Sequence, residues 1–287
     1  LKKAIILGLT QLSIILLGSF FIISKSLNFS TYSSFRLSQV FESKNIFIHI
    51  IFWIMIAYFC LPFLVFIKGL LSFNFEIIFS INFIKSLMNS LSVSFISLSI
   101  SVILSLSALS IYRNFVDSKN LLQKFVFISI TIFLFIPSLS LSAMIFYFNY
   151  SLNFIFNNFF IVSLINSFFI TPIMFIFLFS KFMENNIYEF KNSLFFNISP
   201  ITRLINIDIP KIKKELYLIG STVFVLSLGD LTSVTIFNDS TFKTIPLYIS
   251  QLYSNYRYDD AFFVLSLFII IILLIMYIPF SLKSKND

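Results

Sequence analysis

Seven stretches of this chain are apolar enough, for long enough, to cross a lipid bilayer, and nothing else in the sequence constrains the fold as strongly. They run over 4–24, 46–67, 88–111, 125–147, 159–180, 216–237 and 261–282. Each is close to the ~20 residues that a spanning helix needs. Inside hydrocarbon every backbone N–H and C=O has to be satisfied within the protein, so such segments are expected to be helical. No small-residue cleavage pattern follows the first stretch before Lys25, which makes it a span rather than a removed leader. The expected class is an all-α integral membrane protein, a polytopic bundle of about seven transmembrane helices.

Composition agrees. Only 11% of the 287 residues are charged, against about 25% in an average soluble domain, and mean hydropathy is +0.98. The net charge of +8 would suggest nucleic acid on a soluble protein. Here it reads as the excess of Lys and Arg that membrane proteins keep on the cytoplasmic side, and no nucleic-acid partner is expected. The single Cys, Cys60, and the single His, His49, sit inside an apolar run. They allow no disulfide within the chain, supply too few ligands for a Cys/His metal site, and are expected to be packing residues.

Orientation follows from the loops. One set of alternate connections holds more than twice the Lys and Arg of the other, led by Lys181, Lys191, Arg203, Lys211, Lys213 and Lys214 in 181–215. That set is placed in the cytoplasm, which leaves the N-terminus and 238–260 outside. In the outer segment Ile245, Tyr248, Ile249, Leu252, Tyr253 and Tyr256 recur at helical spacing. They predict a short amphipathic helix at the outer surface or tucked into the bundle, with Asp259 and Asp260 at the N-cap of the last span. Pro62, Pro137 and Pro172 fall within spans, where each removes a backbone donor. The Ser-rich run 91–110 permits close helix approach.

The cytoplasmic stretch SLFFNISPITRLINIDIP, residues 193–210, interrupts the apolar pattern. Glu184 to Phe196 can be helical. Asn197 tolerates the left-handed backbone that ends a helix. Ser199 and Pro200 are an N-cap and a first helical residue, starting a short helix to about 207 with Ile201, Leu204 and Ile205 on one face. Ile209 precedes Pro210, which disfavours continuation, so Pro210 is expected to open the helix leading into the next span. Local signals leave two readings: a docking helix for a partner, or a mere connector.

This stretch resembles the cytoplasmic loop of type I ABC importer permeases. Its pattern there is Glu-Ala-Ala, three residues, Gly, nine residues, apolar, any residue, apolar, Pro. With Pro210 on the final Pro, Ile207 and Ile209 take the apolar positions, Asn197 the Gly, and Pro200 a frequent Pro. Lys191, Asn192 and Ser193 take Glu-Ala-Ala, so the acid is absent, although Glu189 lies two residues away. The run 225–261 is similar to the closing part of the thiamine-type permeases of that family. It carries a Ser-x-Gly-Asp segment at Gly229 and Asp230, then Phe242, Thr244 and Pro246, then Ser254, Tyr256 and Arg257.

The resemblance implies a type I ABC importer permease fold. Residues 46–287 would be a six-helix domain with its coupling loop at 181–215. Residues 1–45 would hold the last helix of a preceding permease half plus a cytoplasmic linker, the chain being the later part of a longer fused permease. It implies a non-catalytic subunit of the bacterial inner membrane that binds no cofactor. ATP and Mg would be bound by a partner ABC ATPase dimer, and thiamine or its phosphates delivered by a periplasmic substrate-binding protein. The coupling elements would be Lys191, Asn197, Ser199, Pro200, Ile201, Arg203, Leu204, Ile207, Ile209 and Pro210. Asp230, beside Gly229, either lines the pathway and attracts a cation or pairs locally at a glycine kink. Tyr248, Tyr253 and Tyr256 either contact a cationic ring or form an interfacial belt. Permeases for iron(III), polyamines or sulfate share the loop and remain alternatives. A polytopic membrane enzyme would need a cluster of polar side chains near one face, and one His and one Cys argue against that.

Overall fold

A computed structural model describes residues 46–114, 121–151, 157–184, 196, 198–237, 239 and 242–284. The expected span 4–24, the helix expected between Glu184 and Phe196, Lys191 and Asn197 lie outside the described residues. Among the described residues every regular element is a helix. In order these are α1 (Ile46–Leu71), α2 (Phe75–Ile78), α3 (Ile81–Asn114), α4 (Leu121–Thr131), α5 (Ser138–Ser151), α6 (Asn158–Glu184), α7 (Pro200–Arg203), α8 (Ile209–Lys211), α9 (Lys213–Leu228), α10 (Thr232–Phe237), α11 (Ile245–Ser254) and α12 (Tyr258–Ser284). A 3₁₀ turn, Ile132–Leu134, follows α4, and a π turn, Leu204–Asp208, joins α7 to α8.

Four of these helices, α1, α3, α6 and α12, are long and apolar enough to cross a membrane. Two expected straight spans are broken instead. The span expected at 125–147 bends by 100° between Leu134 and Ser138, where Pro137 has no N–H to continue the ladder. The span expected at 216–237 ends at Leu228 and resumes at Thr232. If the bent pair counts as one span, the described residues hold five.

The scaffold is the packing of α3 against α6. Ser86, Ser90, Ser94, Ser97, Ser101 and Ser105 recur every three or four residues along α3, and all are buried. Small side chains let the two backbones approach. The hydroxyls of Ser86, Ser94, Ser97, Ser101 and Ser105 each donate to a carbonyl one turn back, as in Ser94 Oγ to Ser90 O at 2.8 Å. Ser97 Oγ, 2.8 Å from Val93 O, also reaches Ser163 O on α6 at 2.9 Å.

Three apolar clusters pack around this seam. Leu109, Met174, Phe175, Leu178, Ile212 and Val223 fill one end, under the 198–212 segment. Phe83, Tyr248, Leu252 and Val264 fill the other, under α11. Val93, Ile165, Val234 and Phe237 belong to the third, which packs α10 against α6 beside α3. Ser90 accepts the Ile245 N–H at one end of α3, and Arg113 closes the other end. At 1.5 Å per residue those positions are about 35 Å apart, a little more than the ~30 Å hydrocarbon core of a bilayer.

α1 and α12 meet at Gly69. A Cβ there would fall inside van der Waals contact of Phe262 O and 2.9 Å from Ser266 Cβ, so only glycine fits. The rest of α1 is turned outward, with Trp53, Ile54 and Phe59 each more than 60% exposed. Cys60 is exposed on the same helix and is not the packing residue the sequence suggested.

Candidate functional site

Two polar constructions stand out. The first is the segment 198–212. Ser199 caps α7 as expected: its Oγ accepts from Thr202 N at 3.2 Å, and Pro200 is the first helical residue. The expected stop before Pro210 does not occur. The chain stays helical from Pro200 to Lys211, because the intervening turn widens to π geometry and the Ile209 N–H reaches back to Leu204 O. A wider turn absorbs the donor that Pro210 lacks and relieves its ring. The break falls two residues later, at Ile212, before α9 begins.

The faces of this segment differ from a simple docking stripe. Ile201 and Ile205 are 71% and 55% exposed, but Leu204 is half-buried and packs on the core cluster beneath, as does Ile209. Pro210 is exposed and Ile207 half-buried. Arg203, grouped with the coupling residues from the sequence, is buried, and so are Asp208 and Arg113. Arg113 Nη2 lies 2.9 Å from Asp208 Oδ2, and Arg203 Nε lies 3.9 Å from the same oxygen. The Arg113 guanidinium also sits over the Phe182 ring, 4.7 Å from its centroid. Burial strengthens such attractions, and losing one partner strands the other. The outward face is therefore held from below by a buried ionic lock between the end of α3 and the π turn. Sequence reasoning missed this lock, since Arg113 and Asp208 lie far apart in the chain.

The second construction lies where the two helix interruptions meet. Gly229 ends α9, and Asp230 bridges to α10: its Oδ1 accepts from Thr232 N at 3.1 Å and from Thr232 Oγ1 at 2.7 Å. Thr232 Oγ1 is also 3.0 Å from the hydroxyl of Ser138, the first residue after the Pro137 break. Asn166 on α6 donates to Ser227 Oγ at 3.2 Å and accepts from Ser233 Oγ at 3.1 Å. Ser138, Asn166, Ser227, Gly229 and Asp230 border a cavity of about 240 Å³, whose remaining walls include Phe169, Ile173 and Leu226. Asp230 thus makes the local pairing that one sequence reading expected, through one oxygen only. Its Oδ2 is closed off from solvent and has no hydrogen-bond partner among the described residues.

At the outer end, Tyr248 is buried on the core side of α11, while Tyr253 and Tyr256 are exposed. The three tyrosines therefore do not share one surface. Tyr256 has φ of 61°. Its N–H bonds to Tyr253 O, and the Arg257 N–H to Leu252 O, the paired bonds of a helix end that ordinarily uses glycine. Asp259 and Asp260 fall in the first turn of α12, not at its cap. Asp260 instead accepts from Asn74 Nδ2 at 3.1 Å and from Arg257 Nε at 2.6 Å.

Among the described residues, no three His, Cys, Asp or Glu side chains are grouped to hold a metal ion. No family model matches the chain, and no curated protein sequence matches it.

Proposed function

We propose that this chain is an integral membrane protein, the membrane-spanning subunit of an ATP-driven importer of the type I ABC class. One observation carries the reading: the segment 198–212 presents Ile201 and Ile205 outward while Arg203 and Asp208 are locked inward against Arg113. A partner pushing on the exposed face would move α9 through Ile212 and α3 through Arg113. That linkage suits a shift between inward- and outward-facing states. The outward apolar surface of α1, with Trp53 and Ile54, supports a lipid or helical environment rather than water.

In this reading the chain performs no chemistry. An ABC ATPase dimer binds ATP and Mg on the cytoplasmic side, a periplasmic binding protein delivers substrate, and a second permease half completes the pathway in the bacterial inner membrane. The substrate is thiamine or its phosphates, on the strength of the resemblance over 225–261. Uptake of labelled thiamine in a strain lacking its own importer tests this: restored uptake with the cognate ATPase and binding protein is expected. Absence of uptake, with iron(III), a polyamine or sulfate carried instead, would overturn the substrate.

A further inference from the structure

We infer that the cavity between the two broken helices binds an organic cation bearing an N–H donor on a small apolar body. The inference deepens the transport reading and rests on it only for the direction of movement, since the site is defined by its own geometry. Two chain interruptions that are remote in sequence, at Pro137 and at Gly229–Leu231, converge on the Ser138–Thr232–Asp230 contact. Irregular backbone at membrane depth is tolerated where it is buried in protein or lines a cavity, and here it borders one.

The chemistry of the walls selects the ligand. Asp230 brings a carboxylate whose Oδ2 has no partner among the described residues, and among them no basic side chain lines the cavity. Leaving a buried acceptor without a donor is costly, and a cationic donor in the cavity would be attracted by the carboxylate beside it. Phe169, Ile170, Ile173 and Leu226 form the apolar wall, which includes one aromatic ring, a group that attracts cations. The volume of about 240 Å³ is far above the ~10–15 Å³ that a single water needs. That fits a group about the size of benzylammonium, the probe for the test.

Gly229 keeps this space open. Its backbone has no left-handed strain, and a Cβ there would meet only Val225 O at 3.7 Å and Leu226 O at 3.8 Å. A Cβ is therefore tolerated by the backbone at a residue that lines the cavity.

The experiment is saturation binding of labelled benzylammonium to the full chain in nanodiscs at pH 7, without ATP or ATPase. Saturable binding is expected, with benzyl alcohol and sodium chloride failing to compete. Asp230→Asn should weaken it at least tenfold, and Gly229→Leu, which keeps the carboxylate, should abolish it. Ser221→Ala, in a separate groove, should leave it unchanged. The assignment is overturned by any of three results. These are no saturable binding to the wild-type chain, equal competition by benzyl alcohol, or displacement by sodium in place of the amine. Should Asp230→Asn not fold, Gly229→Leu and the competition series decide alone. Because no ATPase is present, failure here would leave the coupling role of 198–212 standing, and loss of coupling would leave this site standing.

Discussion

The guanidinium of Arg113, at the end of α3, sits 2.9 Å from the Asp208 carboxylate in the π turn, and both side chains are shut away from solvent. Removing either partner strands the other in a low-dielectric interior, at a cost of about 3–5 kcal/mol. Arg113→Met and Asp208→Leu should each lower the unfolding midpoint in detergent. The double variant Arg113→Met/Asp208→Leu should be more stable than either single one. Additive losses in that cycle would mean the two residues act independently.

The segment 198–212 separates two effects that a simple docking stripe would merge. Ile201→Asp changes an exposed residue, so folded yield and thermal stability should be unchanged while ATPase association weakens. Leu204→Asp places a charge on the core cluster and should reduce folded yield itself. Size-exclusion profiles of the two purified variants distinguish these outcomes. Equal loss of yield would show that both positions are structural.

Gly69 tests the contact between α1 and α12. A methyl group there would collide with backbone at Phe262, which cannot swing away as a side chain would. Gly69→Ala should cost about 1–3 kcal/mol, as overpacking does, read as a lower unfolding midpoint. An unchanged midpoint would mean the helices slide apart freely.

Tyr256 adopts the left-handed conformation with a full side chain, exposed to 80%. That geometry costs an L-residue roughly 1–2 kcal/mol. Tyr256→Gly should therefore stabilise the fold by about 1 kcal/mol. If the ring serves an outer partner, the same change should weaken transport at unchanged expression. Destabilisation on substitution would show that the ring supports the fold instead.

Part of this was legible in the sequence. Ser199-Pro200 announced its cap because the side-chain acceptor and the fixed φ act locally. The Ser-rich run within α3 was readable too, and on α11 the buried positions Ile245, Tyr248 and Leu252, but not the exposed Tyr253 and Tyr256. Pro210 misled, because the rule it obeys assumes α geometry and the π turn evades it. The bend at Pro137 and the gap after Gly229 were visible as residues but not as places that meet. The Arg113–Asp208 lock was invisible, since its partners are brought together only by packing. At the end of α11 the chain assigns the left-handed conformation to Tyr256, as the register of its capping bonds requires.

The central claim is that the exposed face of 198–212 transmits ATP hydrolysis to the membrane helices. The direct measurement is substrate moved per ATP hydrolysed, in proteoliposomes holding this chain with its ATPase and binding protein, for the wild type and for Ile201→Asp/Ile205→Asp. The account predicts that the variant inserts and folds but loses substrate movement at least tenfold, while any remaining hydrolysis no longer responds to the loaded binding protein. Undiminished transport at the wild-type ratio would contradict it and reduce the segment to a connector.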